Sequence, residues 1–169
     1  TLTTYSETPN AVGIWEYRAV VQSGSCGTAN STSITIEVLA SNAGAVTGGS
    51  TPICLGSSTG TMTLSGNTGT VVKWQKRLDA ASIWTDIVNT ATTYVETPSS
   101  AGTWEYRAVA NSGTDLYSAP STIFVYPTSV GGTVSGGTTI CSGSISGLLT
   151  LTGNTGTVVK WQKRLDAAS

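Results

Sequence analysis

Residues 66–82 read GNTGTVVKWQKRLDAAS, and residues 153–169 repeat the same 17 letters. The stretch opens with a Gly-Asn turn signal and continues into an alternating segment, in which Val72 and Trp74 fall on one face and polar residues on the other. This alternation predicts a β-strand with one buried face. Burial of Trp74 removes about 200 Å² of mostly apolar surface from water, which is worth several kcal/mol to a small domain.

Two further matches extend the repeat. A hexapeptide, Trp-Glu-Tyr-Arg-Ala-Val, begins at Trp15 and again at Trp104, an offset of 89 residues. An Ile-Cys pair ends at Cys54 and again at Cys141, an offset of 87 residues, which is also the offset of the first match. A period of 87–89 residues is that of a domain rather than of a solenoid repeat.

The repeat divides the chain into three predicted parts. Residues 1–40 are the C-terminal half of one unit, residues 41–128 a complete unit, and residues 129–169 the N-terminal half of the next unit. The chain is therefore expected to be a window cut from a tandem array. Because the two halves are complementary, we also expect that they complete one another, within one chain or between neighbouring chains.

Each unit has the pattern of an antiparallel β-domain. The predicted strands of the complete unit lie near Val46 and at 61–64, 71–77, 84–88, 92–96, 103–110 and 122–126. Seven short strands without a helical period predict an all-β fold of tandem immunoglobulin-like β-sandwich repeats. The predicted core aromatics are Trp15, Tyr17, Trp74, Trp104, Tyr106 and Trp161.

Composition disfavours several classes of function. The net charge is −1 and the chain has no basic cluster, so no nucleic-acid partner is expected. No apolar run approaches the roughly 20 residues of a membrane span. Without a histidine there is no Ser-His dyad and no imidazole ligand, so neither an enzyme nor a cofactor or metal site is predicted. Glu7 and Glu96, each in a Glu-Thr-Pro turn, are expected to hydrogen-bond that turn rather than to bind calcium, since neither has a second acid nearby.

The three cysteines allow two interpretations. Cys54 and Cys141 share an early position in their units, whereas Cys26 lies late in its unit. A bridge between the early and late positions would close a loop of about 60 residues, worth about 4 kcal/mol on the chain-entropy model, and would indicate an oxidising, extracellular environment. Cys54 then has no partner of its own, and Cys26 and Cys141 pair with adjacent repeats or with each other. The alternative is three free thiols.

A polar face is predicted on the outside of the sheet. Lys73, Gln75 and Arg77 share this face with Glu105 and Arg107 if their strands pair. The mixed signs favour cross-strand charge pairs over a ligand-binding patch, and such pairs are worth under about 1 kcal/mol each.

The order of motifs provides a family resemblance. Ile-Cys-x-Gly is followed by Thr-x-Thr-Leu-x-Gly, Lys-Trp-Gln, Gly-x-Trp-Glu-Tyr-Arg-Ala-Val and, in the first unit, Ser-Gly-x-Cys. This order resembles the immunoglobulin-like repeats of giant Bacteroidetes cell-surface adhesins, of the SprB-type gliding-motility class, over essentially the whole chain. The resemblance implies type IX secretion, an extracellular location at the cell surface and a long filament that attaches to surfaces in gliding motility. It also implies that the partners are neighbouring repeats, other copies of the filament, and an external surface or polysaccharide.

Two other classes of function compete with this one. A carbohydrate-binding immunoglobulin-like module of a secreted protein requires exposed coplanar aromatics, and Trp84 is the one tryptophan without a predicted place in a core. A hydrolase fragment is disfavoured by the missing histidine and the isolated acids.

Overall fold

The structure is a computed structural model that describes residues 2–165. In this range the protein is all-β and contains no helix. Thr1 and residues 166–169, which end the second copy of the repeated stretch, lie outside the described residues. The strands are β1 (Gly13–Tyr17), β2 (Val20–Gln22), β3 (Thr28–Asn30), β4 (Ile34–Val38), β5 (Ala43–Gly48), β6 (Ile53–Cys54), β7 (Met62–Asn67), β8 (Thr70–Leu78), β9 (Thr85–Ile87), β10 (Thr93–Tyr94), β11 (Gly102–Asn111), β12 (Asp115–Tyr117), β13 (Ser121–Tyr126), β14 (Thr133–Ser135) and β15 (Thr150–Thr152).

Strands β5 to β13 form two sheets, and we call residues 43–126 the central unit. One sheet has the order β10-β7-β5, and the other has the order β6-β13-β11-β8-β9 with β12 paired to β11. All seven strands predicted for this unit are present. Strands β6 and β12, of two and three residues, are additional, because so short a segment carries no sequence periodicity.

The core of the central unit lies between the two sheets. Trp74 and Tyr106 of the larger sheet and Met62 of the smaller sheet are fully buried in one cluster. Residues from both sheets contribute to this cluster, an arrangement consistent with a β-sandwich.

One detail of the predicted alternation is wrong. Val71 is buried and Val72 is exposed, so Val72 does not share the inner face with Trp74. The pairing of β8 with β11 explains this difference, because Val109 lies opposite Lys73 while the next residue of β11 lies opposite Val71. Val72 is thus the extra residue of a β-bulge, which reverses the faces on either side of it.

The turn before β8 requires glycine. Gly69 has a φ of +79°, and a Cβ atom there would lie 2.0 Å from the carbonyl oxygen of Asn111. A side chain would therefore be strained and would also clash with the backbone of β11. This contact places the repeated Gly-Asn-Thr-Gly turn against the end of β11 that carries Asn111.

The chain enters and leaves the central unit at opposite ends. Near Ala43 the chain runs beside the Asn111 end of β11, with Ala45 bridged in parallel to Ala119. Tyr126 lies just beyond the Gly102 end of β11, where β13 pairs in parallel with β6. Since β11 has ten residues, the two ends are about 30 Å apart at ~3.3 Å per residue.

The two flanking halves keep their local pairings. In the N-terminal half, β1 pairs with β4 and β2 with β3, which are the counterparts of the β11–β13 and β11–β12 pairings. In the C-terminal half, β14 pairs with β15, as β5 pairs with β7. Residues 157–165, the counterpart of β8, form no strand. Their partner strand would be the counterpart of β11, which lies in the other half.

Candidate functional site

The outer face of β8 and β11 carries the predicted polar cluster. The shared face is confirmed, because Arg77 lies opposite Glu105 and Gln75 lies opposite Arg107. The Arg77 Nε donates a hydrogen bond to the Glu105 carboxylate, and the Arg107 Nε donates to the Gln75 Oε1 at 2.8 Å. The face is therefore held together by cross-strand pairs of opposite or complementary polarity.

Strand β9 extends this network through Asp86. Its carboxylate accepts hydrogen bonds from the Gln75 Nε2 at 2.6 Å and the Lys73 Nζ at 2.8 Å. These bonds, with that of Gln75 the larger contribution, lower the pKa of Asp86, and the hydrogen bond to Asp86 raises the pKa of Lys73. The buried side chain of Gln75 is thus satisfied at both its nitrogen and its oxygen.

Two aromatic rings lie against the arginines of this face. The Arg107 guanidinium carbon is 4.1 Å from the centre of the Trp84 ring and 4.4 Å from that of Tyr117. The Arg77 guanidinium carbon is 4.5 Å from the Trp84 ring centre. Burial lowers the pKa of Arg107. Trp84, the one tryptophan for which the sequence predicted no place in a core, is half-buried. Its ring packs on the two arginines and is not a fully exposed aromatic.

A second cluster lies at the edge of the core around Glu96. Its carboxylate accepts hydrogen bonds from the hydroxyls of Tyr94 and Tyr106, both at 2.6 Å, and forms an ion pair with the Lys76 Nζ at 2.8 Å. The same ammonium lies 5.4 Å from the ring centre of Trp104. We call Tyr94, Glu96, Tyr106 and Lys76 the central carboxylate cluster.

The carboxylate and the hydroxyls of this cluster have shifted pKa values. Burial raises the pKa of Glu96, but the hydrogen bonds from Lys76, Tyr106 and Tyr94 outweigh it, and the net pKa lies below the usual value. Burial, followed by the hydrogen bond to Glu96, raises the pKa of both tyrosines. The cluster therefore stabilises the ionised carboxylate.

The N-terminal half contains the same cluster without the lysine. The Glu7 carboxylate accepts hydrogen bonds from the hydroxyls of Tyr5 at 2.6 Å and Tyr17 at 2.7 Å. These two bonds, with that of Tyr5 the larger contribution, lower the pKa of Glu7, and the bond to Glu7 raises the pKa of Tyr17 to about 12. The tyrosine rings are 6.3 Å apart at 44°, against 6.2 Å and 44° for their counterparts Tyr94 and Tyr106. The half is thus already arranged as in the central unit.

The three cysteines form no disulfide with one another in the part of the chain that the structure describes. Cys26, Cys54 and Cys141 are free and exposed. Cys54 lies beside Tyr126, at the Gly102 end of β11. Cys26 lies in the turn between β2 and β3, whose counterpart follows Asn111 at the opposite end.

The expected bridge between the early and late cysteines of one unit stays a prediction, and the geometry of the central unit weighs against it. The two positions are separated by the length of β11, about 30 Å, whereas the Cα atoms of a disulfide lie within about 7 Å. For the same reason, Cys26 and Cys141 would not approach each other if the two halves completed one unit.

The predicted core aromatics differ in their burial. Trp74, Trp104 and Tyr106 lie in the core of the central unit, and Trp15 and Tyr17 are half-buried. Trp161 is exposed, which differs from the expectation. The physical reason is that Trp74 is covered by the strands of a complete unit, and among residues 129–165 only β14 and β15 are formed.

The described residues provide no grouping of three or more acids or cysteines that could hold a metal ion. Glu7 and Glu96 instead use their oxygens for the tyrosine hydroxyls. Between residues 2 and 165 no helix is long and apolar enough to cross a membrane.

The structure thus shows an all-β protein that has a polar outer sheet face and a carboxylate cluster at the edge of its core. A family model described as "Domain of unknown function (DUF8696)" matches residues 42–127 and 130–169. The chain belongs to this family. A comparison with curated proteins finds no match.

Sequence reasoning missed three members of the carboxylate clusters: Tyr5, Lys76 and Tyr94. A signal for two of them is present, because Tyr-x-Glu-Thr-Pro occurs at Tyr5 and again at Tyr94. Repetition of the whole pentapeptide pattern indicates that the tyrosine and the glutamate act together. Lys76 carries no such signal, since it reaches Glu96 only after β8 has paired with β11.

Proposed function

We propose that the chain is a structural and adhesive segment of a long cell-surface filament protein, built of tandem immunoglobulin-like β-sandwich units, which mediates surface attachment in gliding motility. The observation that carries the proposal is the path of the chain, which enters the central unit near Ala43 and leaves it at Tyr126, at the opposite end. Units connected in this way add their lengths, so a series of them makes an extended structure. Export by type IX secretion is part of the same proposal.

The immunoglobulin-like assignment is supported by three features of the central unit. Two sheets enclose one core, Trp74 is buried on a central strand, and the hydroxyl of Tyr106 is bonded across the core edge. A parallel pairing of β6 with β13 joins the first part of the unit to its last strand.

The adhesive role is supported by repetition. The stretch 66–82 recurs in sequence at 153–169, so in an array of complete units the weak contacts of one unit would be multiplied. The polar outer face pairs its own charges, Arg77 with Glu105 and Lys73 with Asp86, which favours a scaffold over a strong single binding site.

Antibodies against the central unit test the proposal on intact cells of the source organism. We expect immunogold label along surface filaments, a mass of the source protein far above 17.2 kDa, and reduced attachment of cells treated with the antibody fragments. Fragments of a non-binding antibody are the matched control. Label that appears only after permeabilisation would contradict surface display, and unchanged attachment would contradict the adhesive role.

The alternative function is a carbohydrate-binding immunoglobulin-like module of a secreted protein. It is favoured by one observation, the presence of Trp84 and Tyr117 around Arg107 on one sheet face. A glycan array probed with the chain, with Trp84→Ala and with the control Ile83→Ala separates the two functions. Binding that Trp84→Ala alone abolishes supports the module, and a blank array supports the filament segment.

A further inference from the structure

The outer face of β8 and β11 carries three cations, and one of them has no acidic partner in the described part of the chain. Lys73 forms an ion pair with Asp86 at 2.8 Å, and the Arg77 Nε donates to the Glu105 carboxylate. Arg107 forms no ion pair with any residue between 2 and 165. Its charge is therefore the one on this face that remains available to a ligand.

The Arg107 guanidinium is nevertheless held in place. Its Nε donates a hydrogen bond to the Gln75 Oε1, and the ring centres of Trp84 and Tyr117 lie 4.1 and 4.4 Å from its central carbon. Trp84 precedes β9, which flanks β8, whereas Tyr117 lies in β12, which pairs with β11. The two rings thus approach the guanidinium from opposite sides of the strand pair.

The two terminal nitrogens of this guanidinium are unused. Between residues 2 and 165, Nη1 and Nη2 of Arg107 have no hydrogen-bond acceptor. Asp115, the acid of β12, instead accepts a hydrogen bond from the Asn111 Nδ2 at 2.8 Å, at the end of β11. A guanidinium packed between rings forms its hydrogen bonds at its edge, where two N–H groups match the two oxygens of a carboxylate. Because the side chain is already fixed, little conformational entropy is lost when a ligand binds.

We propose that Arg107, with Trp84 and Tyr117 on either side, binds the carboxylate of an acidic polysaccharide built of uronic acid residues. We call these three residues the Arg107 site. The carboxylate lies at the edge of the guanidinium, and the apolar face of the sugar ring packs on the aromatic rings. Tyr117 is 48% exposed and Trp84 is half-buried, so part of each ring remains accessible. Apolar rings that surround one placed polar group are typical of ligand sites.

A saccharide is favoured over an acidic peptide by the combination of rings and guanidinium. A uronic acid presents a carboxylate and a flat, partly apolar ring in the same residue, so a single sugar satisfies both parts of the Arg107 site. An aspartate or glutamate side chain supplies the carboxylate but leaves the aromatic rings uncovered. A neutral sugar covers the rings but leaves the terminal nitrogens without an acceptor.

The Arg107 site gives the adhesive part of the proposed function a ligand class and rests on that part. Binding through one arginine is weak, with an expected Kd of about 1 mM, and repetition along an array of units would strengthen it. So weak a complex is lost when a glycan array is washed, and binding is therefore measured in solution. Display on surface filaments does not require Arg107, so the label on cells and the binding of sugar can fail separately.

A titration of the isotope-labelled chain with trigalacturonate, followed by heteronuclear NMR, tests the Arg107 site. The indole N–H signal of Trp84 is identified by its absence in Trp84→Ala. We expect this signal to shift in a saturable way with a Kd of about 1 mM. The methyl-esterified trisaccharide has the same rings but no free carboxylate, and it should bind at least about fivefold more weakly.

Three variants separate the terminal N–H groups from simple charge. Arg107→Gln should weaken binding of trigalacturonate at least about fivefold, and Arg107→Lys should do nearly the same, because an ammonium keeps the charge but not the paired N–H groups. Lys73→Gln is the matched control, since it removes one charge from the same face but one that already pairs with Asp86. It should change the Kd by less than about twofold. An unchanged indole signal of the buried Trp74 verifies that each variant is folded.

Four results would overturn the inference. The first is the absence of a saturable shift up to about 20 mM trigalacturonate. The second is equal affinity for the methyl ester. The third is a loss for Lys73→Gln as large as that for Arg107→Gln, which would indicate attraction by net charge alone. The fourth is binding of triglutamate as tight as that of trigalacturonate, which would indicate an acidic peptide as the ligand.

Discussion

Trp74 and Trp161 occupy the same place in two identical 17-residue stretches, yet the first is fully buried and the second is 56% exposed. The same contrast holds between Ile123 and Ile36. Local sequence is identical around the two tryptophans, and the difference between them lies in the strands that cover them. In the central unit β8 packs with β11, which comes about 30 residues later in the chain. Hairpins in this protein therefore form between neighbouring segments, whereas the core of the central unit needs strands from both of its halves.

The largest effect should come from removing the tryptophan at the two places. Trp74→Ala should lower the free energy of unfolding of the central unit by about 3–5 kcal/mol, because it empties a fully buried site. Trp161→Ala should change it by less than about 0.5 kcal/mol, because the side chain is exposed in the single chain. Urea unfolding followed by circular dichroism, at a concentration where the chain is monomeric, measures both. Equal losses of stability for the two variants would contradict the difference in burial between Trp74 and Trp161.

The next effect concerns the two carboxylate clusters. Glu96→Gln should destabilise the central unit by about 1–3 kcal/mol at pH 7, because Lys76 loses its ion pair and one acceptor oxygen is replaced. Glu7→Gln should leave the unfolding midpoint unchanged, since its cluster lies on an open half. Thermal unfolding of both variants beside the wild type provides the measurement. A larger loss for Glu7→Gln than for Glu96→Gln would contradict this ranking.

The contribution of Glu96 to stability should depend on pH. The pKa of Glu96 is lower in the folded state than its unfolded value of about 4.3, so its stabilisation is present above the unfolded pKa. That stabilisation is lost as the pH falls through the folded pKa. The difference in unfolding free energy between wild type and Glu96→Gln should therefore be constant from about pH 6 to pH 8 and shrink below about pH 4. A difference that grows on acidification would refute the assigned role.

A smaller effect is expected on the outer face. Trp84→Ala removes the ring that lies on Arg77 and Arg107 and should cost about 1 kcal/mol of unfolding free energy. Among residues 2–165, no aromatic ring lies over Arg18, the counterpart of Arg107. Ile83→Ala, an exposed neighbour, serves as the control with less than about 0.5 kcal/mol. If chemical denaturation shows no difference between Trp84→Ala and Ile83→Ala, the stacking of Trp84 on the arginines does not contribute to stability.

The smallest effect concerns the cysteines, which behave alike in the complete unit and in the halves. Cys26, Cys54 and Cys141 are exposed free thiols, so a thiol-reactive dye should label all three without denaturant. Cys54→Ser and Cys141→Ser should each change the unfolding free energy by less than about 0.5 kcal/mol. Labelling of fewer than three thiols, rising to three after reduction, would show that a bridge forms after all.

The strands of the central unit could be predicted from the sequence because each has its own signal. In β11 the alternation of Trp104, Glu105 and Tyr106 gives the inner and outer faces directly. Turn residues such as Gly66 and Asn67 mark the ends of the segments. Pairing of Arg77 with Glu105 also follows once β8 and β11 are taken as neighbours.

Other features depend on register and could not be predicted in this way. The bulge at Val72 is visible only when β8 is aligned with β11, and without it the inner face of the segment is assigned one residue too late. The positions of Cys26 and Cys54 in their units give a sequence separation but not the end of the sheet at which each lies. The ion pair of Lys76 with Glu96 joins residues from different strands and likewise needs the folded unit. In each case the missing information is a contact between distant parts of the chain.

The chain around β5 and β6 lies parallel to the segment that contains β13, and this arrangement determines how the central unit responds to a mechanical load. A pull on Ala43 and Tyr126 draws β5 and β13 in opposite directions along their own axes, since the chain enters and leaves at opposite ends. Hydrogen bonds between these parts of the chain join the Ala119 backbone to Gly44 and Val46, at 3.2 and 3.0 Å, and the Ser121 hydroxyl to the Gly48 carbonyl at 3.1 Å. Further along, the Leu55 N–H donates to the Tyr126 carbonyl at 2.9 Å. These hydrogen bonds are perpendicular to the applied force. They are therefore loaded together in shear and do not open one after another. A unit tethered at these two points therefore resists extension up to the rupture of the whole patch, and then yields abruptly.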